Sequence, residues 1–296
     1  MGKTCIPKFR RNGAACLPGG GTAMTSAQIA PPPGEVGTRF AFGVNWQRFL
    51  DDLDETRIRD AEESLKTMLG IADLTGRRFL DAGCGSGLFS LAARRLGARV
   101  HSFDFDPQSA ACAAHLKARY AANDGGWTTE AGDVLDADYM RGLGAFDIVY
   151  SWGVLHHTGA MWRALDHVTG AVAPGGLLFV ALYNDQGSIS RYWQWVKRAY
   201  HRGGALRATM IAIHWPYLIG ARRAVRLARG QVALPRGMSL WTDLIDWLGG
   251  WPFEVARPDA VQSHVGAKGF EPMRVVTCGR RHGCNEFVFG RAEDAS

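Results

Sequence analysis

The sequence predicts an α/β fold: a seven-stranded, mostly parallel sheet with an antiparallel C-terminal hairpin and a helical insertion after the fifth strand. Three observations carry that prediction. The apolar run Phe79-Leu80-Asp81-Ala82 enters a glycine loop, Gly83-Cys84-Gly85-Ser86-Gly87, as a strand does when it opens a βαβ unit. Further short apolar runs follow in order at Val100–Phe103, Trp127–Glu130, Phe146–Ser151 and Leu177–Leu182, and two late ones lie at Phe270–Thr277 and Asn285–Gly290. Between Leu182 and the late runs stands a long basic stretch that includes a helix-length apolar segment.

Residues 1–38 are rich in Gly, Pro, Ala and Ser, with Gly19-Gly20-Gly21 and Pro31-Pro32-Pro33, and read as a disordered leader. No apolar run there suits a signal peptide, and Ile6 stands where a myristoylation signal wants Ser or Thr. Both Met1 and Met24 are possible starts. Residues 39–77 read as a helical cover. An aromatic cluster from Phe40 to Trp46 precedes Gln47–Leu69, where Leu50, Leu53, Ile58, Ala61, Leu65 and Met68 recur at spacings suited to one amphipathic helix or a broken pair. The sheet core occupies 78–185, with a helix from Met161 to Val172 and a turn at Pro174-Gly175-Gly176 ahead of the fifth strand. Residues 251–296 close the sheet after a helix that Pro258 opens and that ends near Gly269.

The insertion, 186–250, holds the unusual chemistry. Residues 186–242 contain ten Lys or Arg and no Asp or Glu, which outweighs the formal net charge of +6, so the basicity is local. The apolar run Ala208–Ala221 contains Pro216 and falls well short of the roughly 20 residues a membrane span needs. Three readings fit: a plain insertion packed on the domain, a lid over a lipidic or anionic substrate, and a peripheral membrane contact. No nucleic-acid module accompanies the charge, so nucleic acid is not an expected partner. The six cysteines form no C-x-x-C pair and no zinc spacing; they read as free thiols in a reducing, cytoplasmic compartment. Length and a 47% hydrophobic content place the chain among globular proteins with a sizeable core.

The glycine loop defines the ligand. Glycines let a backbone turn sharply and approach a ligand without Cβ interference. Asp104 ends the second strand, where an acid accepts hydrogen bonds from ribose hydroxyls; Asp106 is a lower-ranked alternative beyond the strand end. The spacing is Gly83-x-Gly85-x-Gly87, not the dinucleotide G-x-G-x-x-G, and Asp81 stands two residues ahead of it. An anionic side chain beside the loop disfavours phosphate and suits S-adenosylmethionine (SAM), which carries an ammonium and a sulfonium.

These motifs resemble the class I SAM-dependent methyltransferases, small-molecule type, similar to quinone-biosynthesis O- and C-methyltransferases. Gly132-Asp133-Val134 and Val154-Leu155-His156-His157 fall in the order that family shows. The resemblance implies a Rossmann-like sheet ending in an antiparallel hairpin. It further implies a cofactor site of Asp81, Gly83, Cys84, Gly85, Gly87, Asp104, Phe105 at the adenine face, Asp133 at its amino edge, Val134 and Ser151. It implies methyl transfer to an oxygen or carbon of a small acceptor, such as a quinone precursor, sugar or secondary metabolite. Alternatives are transfer of another SAM-derived group and a non-catalytic SAM-binding or membrane-surface scaffold. For an oxygen acceptor a base is required. His157, ahead of His156, is the choice, against the reading that both only shape the pocket. Tyr183, Asn184 and Trp46 are the candidate acceptor contacts, and the histidine pair lacks the carboxylates a metal site wants.

Overall fold

The strands of the computed structural model are β1 (Arg78–Ala82), β2 (Arg99–Asp104), β3 (Trp127–Ala131), β4 (Phe146–Trp152), β5 (Val172–Tyr183), β6 (Phe270–Val276) and β7 (Cys284–Arg291). They pair in the order β3-β2-β1-β4-β5-β7-β6. The first five run parallel, and β7 is antiparallel to both β5 and β6, as the sequence predicts. The structure describes residues 46, 50, 53–122, 124–221, 240–279 and 283–293. The leader, the aromatic run ahead of Trp46 and the arginines at 222, 223, 226, 229 and 236 lie outside them.

Strand order reverses at β1, which has β2 on one side and β4 on the other. The crevice beyond the carboxyl ends of β1 and β4 is therefore the topological switch point, where open α/β sheets bind ligands. Successive strand residues point to opposite faces. Leu80, Val149 and Val180 enter one apolar layer with Leu165 and Phe287, while Phe79, Ile148 and Phe179 enter the other with Ile58, Leu65 and Leu91. Each such fully buried aliphatic side chain stabilises the fold by about 1.5–3 kcal/mol.

The helices are α1 (Glu55–Leu69), α2 (Leu88–Arg95), α3 (Pro107–Tyr120), α4 (Ala137–Gly142), α5 (Met161–Gly170), α6 (Ser188–His201), α7 (Gly204–Trp215), α8 (Leu240–Gly249) and α9 (Pro258–Gly266). The periodic stretch before the sheet takes the broken-pair form. Trp46 and Leu50 are helical, residues 53 and 54 are not, and α1 begins at Glu55 because Asp54 accepts the Arg57 N–H at 2.9 Å. Gly70, left-handed at φ 71°, ends it.

The fifth strand differs from expectation. Pro174-Gly175-Gly176, expected as a turn ahead of it, lies inside β5. Pairing steps from Phe146↔Val172 to Ile148↔Leu177, so the extra residues bulge from the ladder, with Gly175 at φ 70°. The insertion builds a third apolar cluster, in which Trp193, Val196, Tyr200 and Met210 of α6 and α7 meet Leu244 and Leu248 of α8 together with Trp251 and Phe253. No helix among the described residues is long and apolar enough to cross a membrane.

Candidate active site

The loop after β1 is tied to the end of β2 by its own backbone. The N–H groups of Gly83 and Cys84 both donate to the Phe103 carbonyl, at 2.8 and 3.0 Å, and Gly87 N–H closes the turn on the Cys84 carbonyl at 2.8 Å. Gly87 has φ 81°, and a Cβ there would lie 2.9 Å from Ala113 Cα in α3, a backbone atom that cannot yield. A Cβ on Gly83 would meet Val154 at 2.4 Å. Trp46 stands over the loop, its indole 2.9 Å from where a Cβ on Gly85 would be.

Asp104 is fixed by the same device. One carboxylate oxygen accepts Gly85 N–H at 3.0 Å and the other Asp106 N–H at 2.9 Å. Each oxygen has a second lone pair, so the group stays competent to accept from a diol. The Asp106 side chain is instead the cap of α3, accepting Gln108 N–H at 2.9 Å. Asp81, 2% exposed, anchors a directed chain of hydrogen bonds. Trp127 Nε1–H donates to Ser102 Oγ at 2.7 Å, Ser102 to Ser90 Oγ at 2.8 Å, and Ser90 to Asp81 Oδ2 at 2.5 Å. Burial, with a smaller push from the Asp104 charge, raises the Asp81 carboxyl to about 7. A cationic ligand held between these two carboxylates relieves both costs.

The remaining residues expected at the cofactor divide in two. Phe105 is exposed beyond the end of β2, and partly buried Asp133 accepts Leu135 N–H at 2.9 Å. Cys84, Val134 and Ser151 are buried. Burial pushes the Cys84 thiol up, Val134 packs in the core, and Ser151 Oγ donates to the Ala82 carbonyl at 2.8 Å, bracing β1 against β4 at the switch point.

The histidine pair occupies a 3₁₀ turn, Leu155–His157, directly after β4. His157 Nδ1 lies 2.7 Å from the Pro252 carbonyl. A carbonyl only accepts, so Nδ1 carries the proton and Nε2 the lone pair. His156 is the reverse: its Nδ1 accepts Tyr183 N–H at 3.3 Å, so its proton sits on Nε2, which is buried with no hydrogen-bond partner among the described residues. Leaving such a donor unpaired costs about 1–3 kcal/mol. Burial, followed by the nearby Lys197 charge, lowers His157 to about 4. Burial, then His157 and Lys197, holds His156 well below its ordinary value. Both rings are therefore neutral at pH 7, and His157 Nε2 carries a lone pair of low basicity.

Tyr183 joins this turn to the insertion. Its ring lies 3.8 Å from His156, 5.4 Å from His157 and 5.3 Å from Phe253. Asn184, also expected at the acceptor, is committed elsewhere: its Nδ2 donates to Gly279 O at 2.8 Å and its Oδ1 accepts from Asn285 at 3.0 Å. Two residues escaped sequence reasoning. Glu254 accepts Met161 N–H at the start of α5 and donates its own N–H to the His156 carbonyl at 2.9 Å. Burial raises its carboxyl to about 7. Lys197, one of ten basic residues in a uniformly basic stretch, is buried beside the histidines. No spacing marks either residue; only the fold-back of α6 and the 250–256 segment reveals them.

Comparison with known proteins places this geometry in context. A model of the family described as a methyltransferase domain matches residues 53–221, more than half of the chain. A tRNA U34 carboxymethyltransferase from Methylococcus capsulatus is 35% identical over 122 residues, covering 41% of this chain and 36% of that protein. A ubiquinone biosynthesis O-methyltransferase from Parvibaculum lavamentivorans is 29% identical over 175 residues, covering 55% of this chain and 66% of that protein. The matches thus span between about a third and just under two thirds of these relatives' length. Among solved structures, magnesium protoporphyrin IX methyltransferase from Synechocystis PCC 6803 with bound SAH shares the fold, with a TM-score of 0.51 at 16% identity over 84% of this chain and 94% of that one.

Proposed function

The chain belongs to the methyltransferase domain family, and on that premise we propose that it is a SAM-dependent methyltransferase acting on an oxygen or carbon of a small acceptor. One observation carries the reading: Asp81 and Asp104 flank a glycine loop at the switch point, with no room for a Cβ at Gly83, Gly85 or Gly87. The residues fit the donor. When bound, SAM supplies a methyl group already activated on a sulfonium. Asp104 accepts from the ribose hydroxyls, the Asp81 carboxylate offsets the ligand's positive charge, and Phe105 and Asp133 meet the adenine. Trp46 excludes water from the loop. His157 Nε2 accepts the proton that an acceptor hydroxyl loses as its oxygen is methylated, and Pro252 holds the ring in that tautomer. The lone pair at His157 favours an oxygen acceptor.

Calorimetry with SAM and S-adenosylhomocysteine tests the cofactor assignment: heat with both is expected, and heat with neither overturns it. Incubation of the protein and labelled SAM with a small-molecule extract then identifies the acceptor as the compound that gains CH₂. The carboxymethyltransferase relative supports a second reading, transfer of a larger SAM-derived group. Product mass separates the two.

A peripheral contact with an anionic membrane surface belongs to the same proposal. Support comes from α6 and α7, which expose Ile189, Tyr192, Trp195, Leu206, Ile213 and Trp215 beside exposed Arg191, Arg202 and Arg207 and carry no acid. Co-flotation with phosphatidylglycerol vesicles, weakened by salt and absent with phosphatidylcholine, is the expected result. Flotation with neither lipid removes the assignment.

A further inference from the structure

A line of hydrogen bonds crosses the interior and ends on Asp81. Its members stand on four elements, Trp127 on β3, Ser102 on β2, Ser90 on α2 and Asp81 on β1, and none is more than 2% exposed. Alanines at 90 and 102 would fill nearly the same space with no polar atom to desolvate. The direction of the line is fixed at its far end. An indole N–H can only donate, so Ser102 accepts from Trp127 and donates to Ser90, and Ser90 donates to the carboxylate at 2.5 Å. Asp81 also accepts the Ser90 backbone N–H in the first turn of α2, whose N-cap, Gly87, has no side chain to satisfy it. A carboxylate buried this deeply stays ionised only through donors aimed at it. The titratable groups around it give no such help. Asp104 opposes it as a like charge, and burial keeps the Cys84 thiol and the Tyr150 phenol neutral.

We propose that Ser90, oriented by Ser102 and Trp127, is a positioning residue for cofactor binding, its hydroxyl holding Asp81 in the ionised form that receives the cationic donor. This role rests on the SAM assignment and accounts for the polar residues at 90 and 102. Both serines are fully buried behind the carboxylate and act only through it.

The test uses the full chain as wild type, Ser90→Ala, Ser102→Ala and Trp127→Phe. Carbon-13 NMR of the ligand-free protein gives the ionisation midpoint of Asp81, and calorimetry gives SAM affinity at pH 7 and pH 8.5. Ser90→Ala keeps the backbone donor, so only the hydroxyl is removed. Its Asp81 midpoint is expected to rise by at least about one pH unit, the worth of a hydrogen bond to a charged group. SAM should then bind about fivefold more weakly than to the wild type at pH 7 and within about twofold of it at pH 8.5. Titration of the donor's own ammonium is common to both proteins and cancels in that ratio. Ser102→Ala and Trp127→Phe should move the midpoint progressively less, although Trp127→Phe removes the most buried volume and should lower Tm the most. A serine that only fills space would weaken binding by one factor at both pH values. That result, an unmoved Asp81 midpoint, or midpoint shifts that follow the loss of Tm along the series would each overturn the proposal. Ser102→Ala carries the same test if Ser90→Ala fails to fold. A midpoint that moves as expected in a protein that binds no SAM would sink the cofactor assignment and leave the hold of Ser90 on the Asp81 charge standing.

Discussion

The two sides of the candidate site are built from different materials. On the glycine-loop side the main chain makes the surface: backbone N–H groups tie the loop to Phe103, and two more fix the Asp104 carboxylate. On the insertion side the surface consists of side chains, among them Tyr183, Trp193, Trp247 and Phe253, with Lys197 and the histidine pair packed against these rings. A surface made of backbone tolerates most side-chain changes nearby but no added Cβ. A surface made of side chains tolerates changes in the chain's path but is rewritten by single substitutions. The first suits a donor that never varies, the second an acceptor that does.

The largest expected effect tests the backbone side. Gly87→Val forces a branched side chain onto Ala113 at a left-handed φ, and is expected to cost about 3 kcal/mol or more in urea denaturation. A loss under about 1 kcal/mol would show that the loop has slack and break the comparison. On the side-chain half, His157→Ala should lower turnover about a hundredfold while leaving S-adenosylhomocysteine affinity within about twofold. Turnover in the wild type should also stay level down to about pH 5, because His157 is held near 4, and a fall centred on 6.5 would contradict that. Asp104→Ala should weaken SAM binding at least about tenfold, since the ribose contact and the anchor of Gly85 are lost together. Unchanged affinity would remove the ribose assignment.

The smallest expected effect is a pH dependence on the cofactor side. Asp81 has its folded value raised to about 7 from an ordinary 3.8, so the folded, unliganded protein binds the extra proton between those values. Its contribution to folding stability is complete below the ordinary value and is lost as pH climbs through about 7. A cationic ligand prefers the ionised carboxylate, so SAM affinity should rise about fivefold from pH 6 to pH 7 and level off above. Calorimetry at several pH values, showing no slope in that window, would argue that Asp81 does not sense the donor.

Legibility in the sequence follows the same division. The strands, their order and the loop glycines announce themselves because backbone demands restrict residue type: only glycine fits at Gly87, and Asp104 falls one step past an apolar run. The β5 bulge went unseen because Pro174-Gly175-Gly176 carries turn chemistry wherever it stands, and only pairing with β4 reveals the ladder on both sides. The burial of Cys84, Val134 and Ser151 was equally invisible, since spacing locates a residue on a strand end without saying which way it points. Asn184 shows the same limit: its placement after β5 was read correctly, but its hydrogen bonds to Gly279 and Asn285 come from the closing hairpin, some hundred residues away. Of the three readings of the insertion, packing on the domain is seen in the apolar cluster that α6 and α7 share with α8, while the lid and the membrane contact stay proposals, the latter supported by the exposed aromatic stripe.

The row of donors from Trp127 through Ser102 and Ser90 points one way, toward Asp81. Because no hydroxyl in it is free to turn, a change of charge at the carboxylate is transmitted across β2 to an indole two strands away. The Trp127 indole Nε1–H signal in a nitrogen-15 spectrum would then serve as a gauge of whether the donor pocket is charged, legible before any acceptor is known.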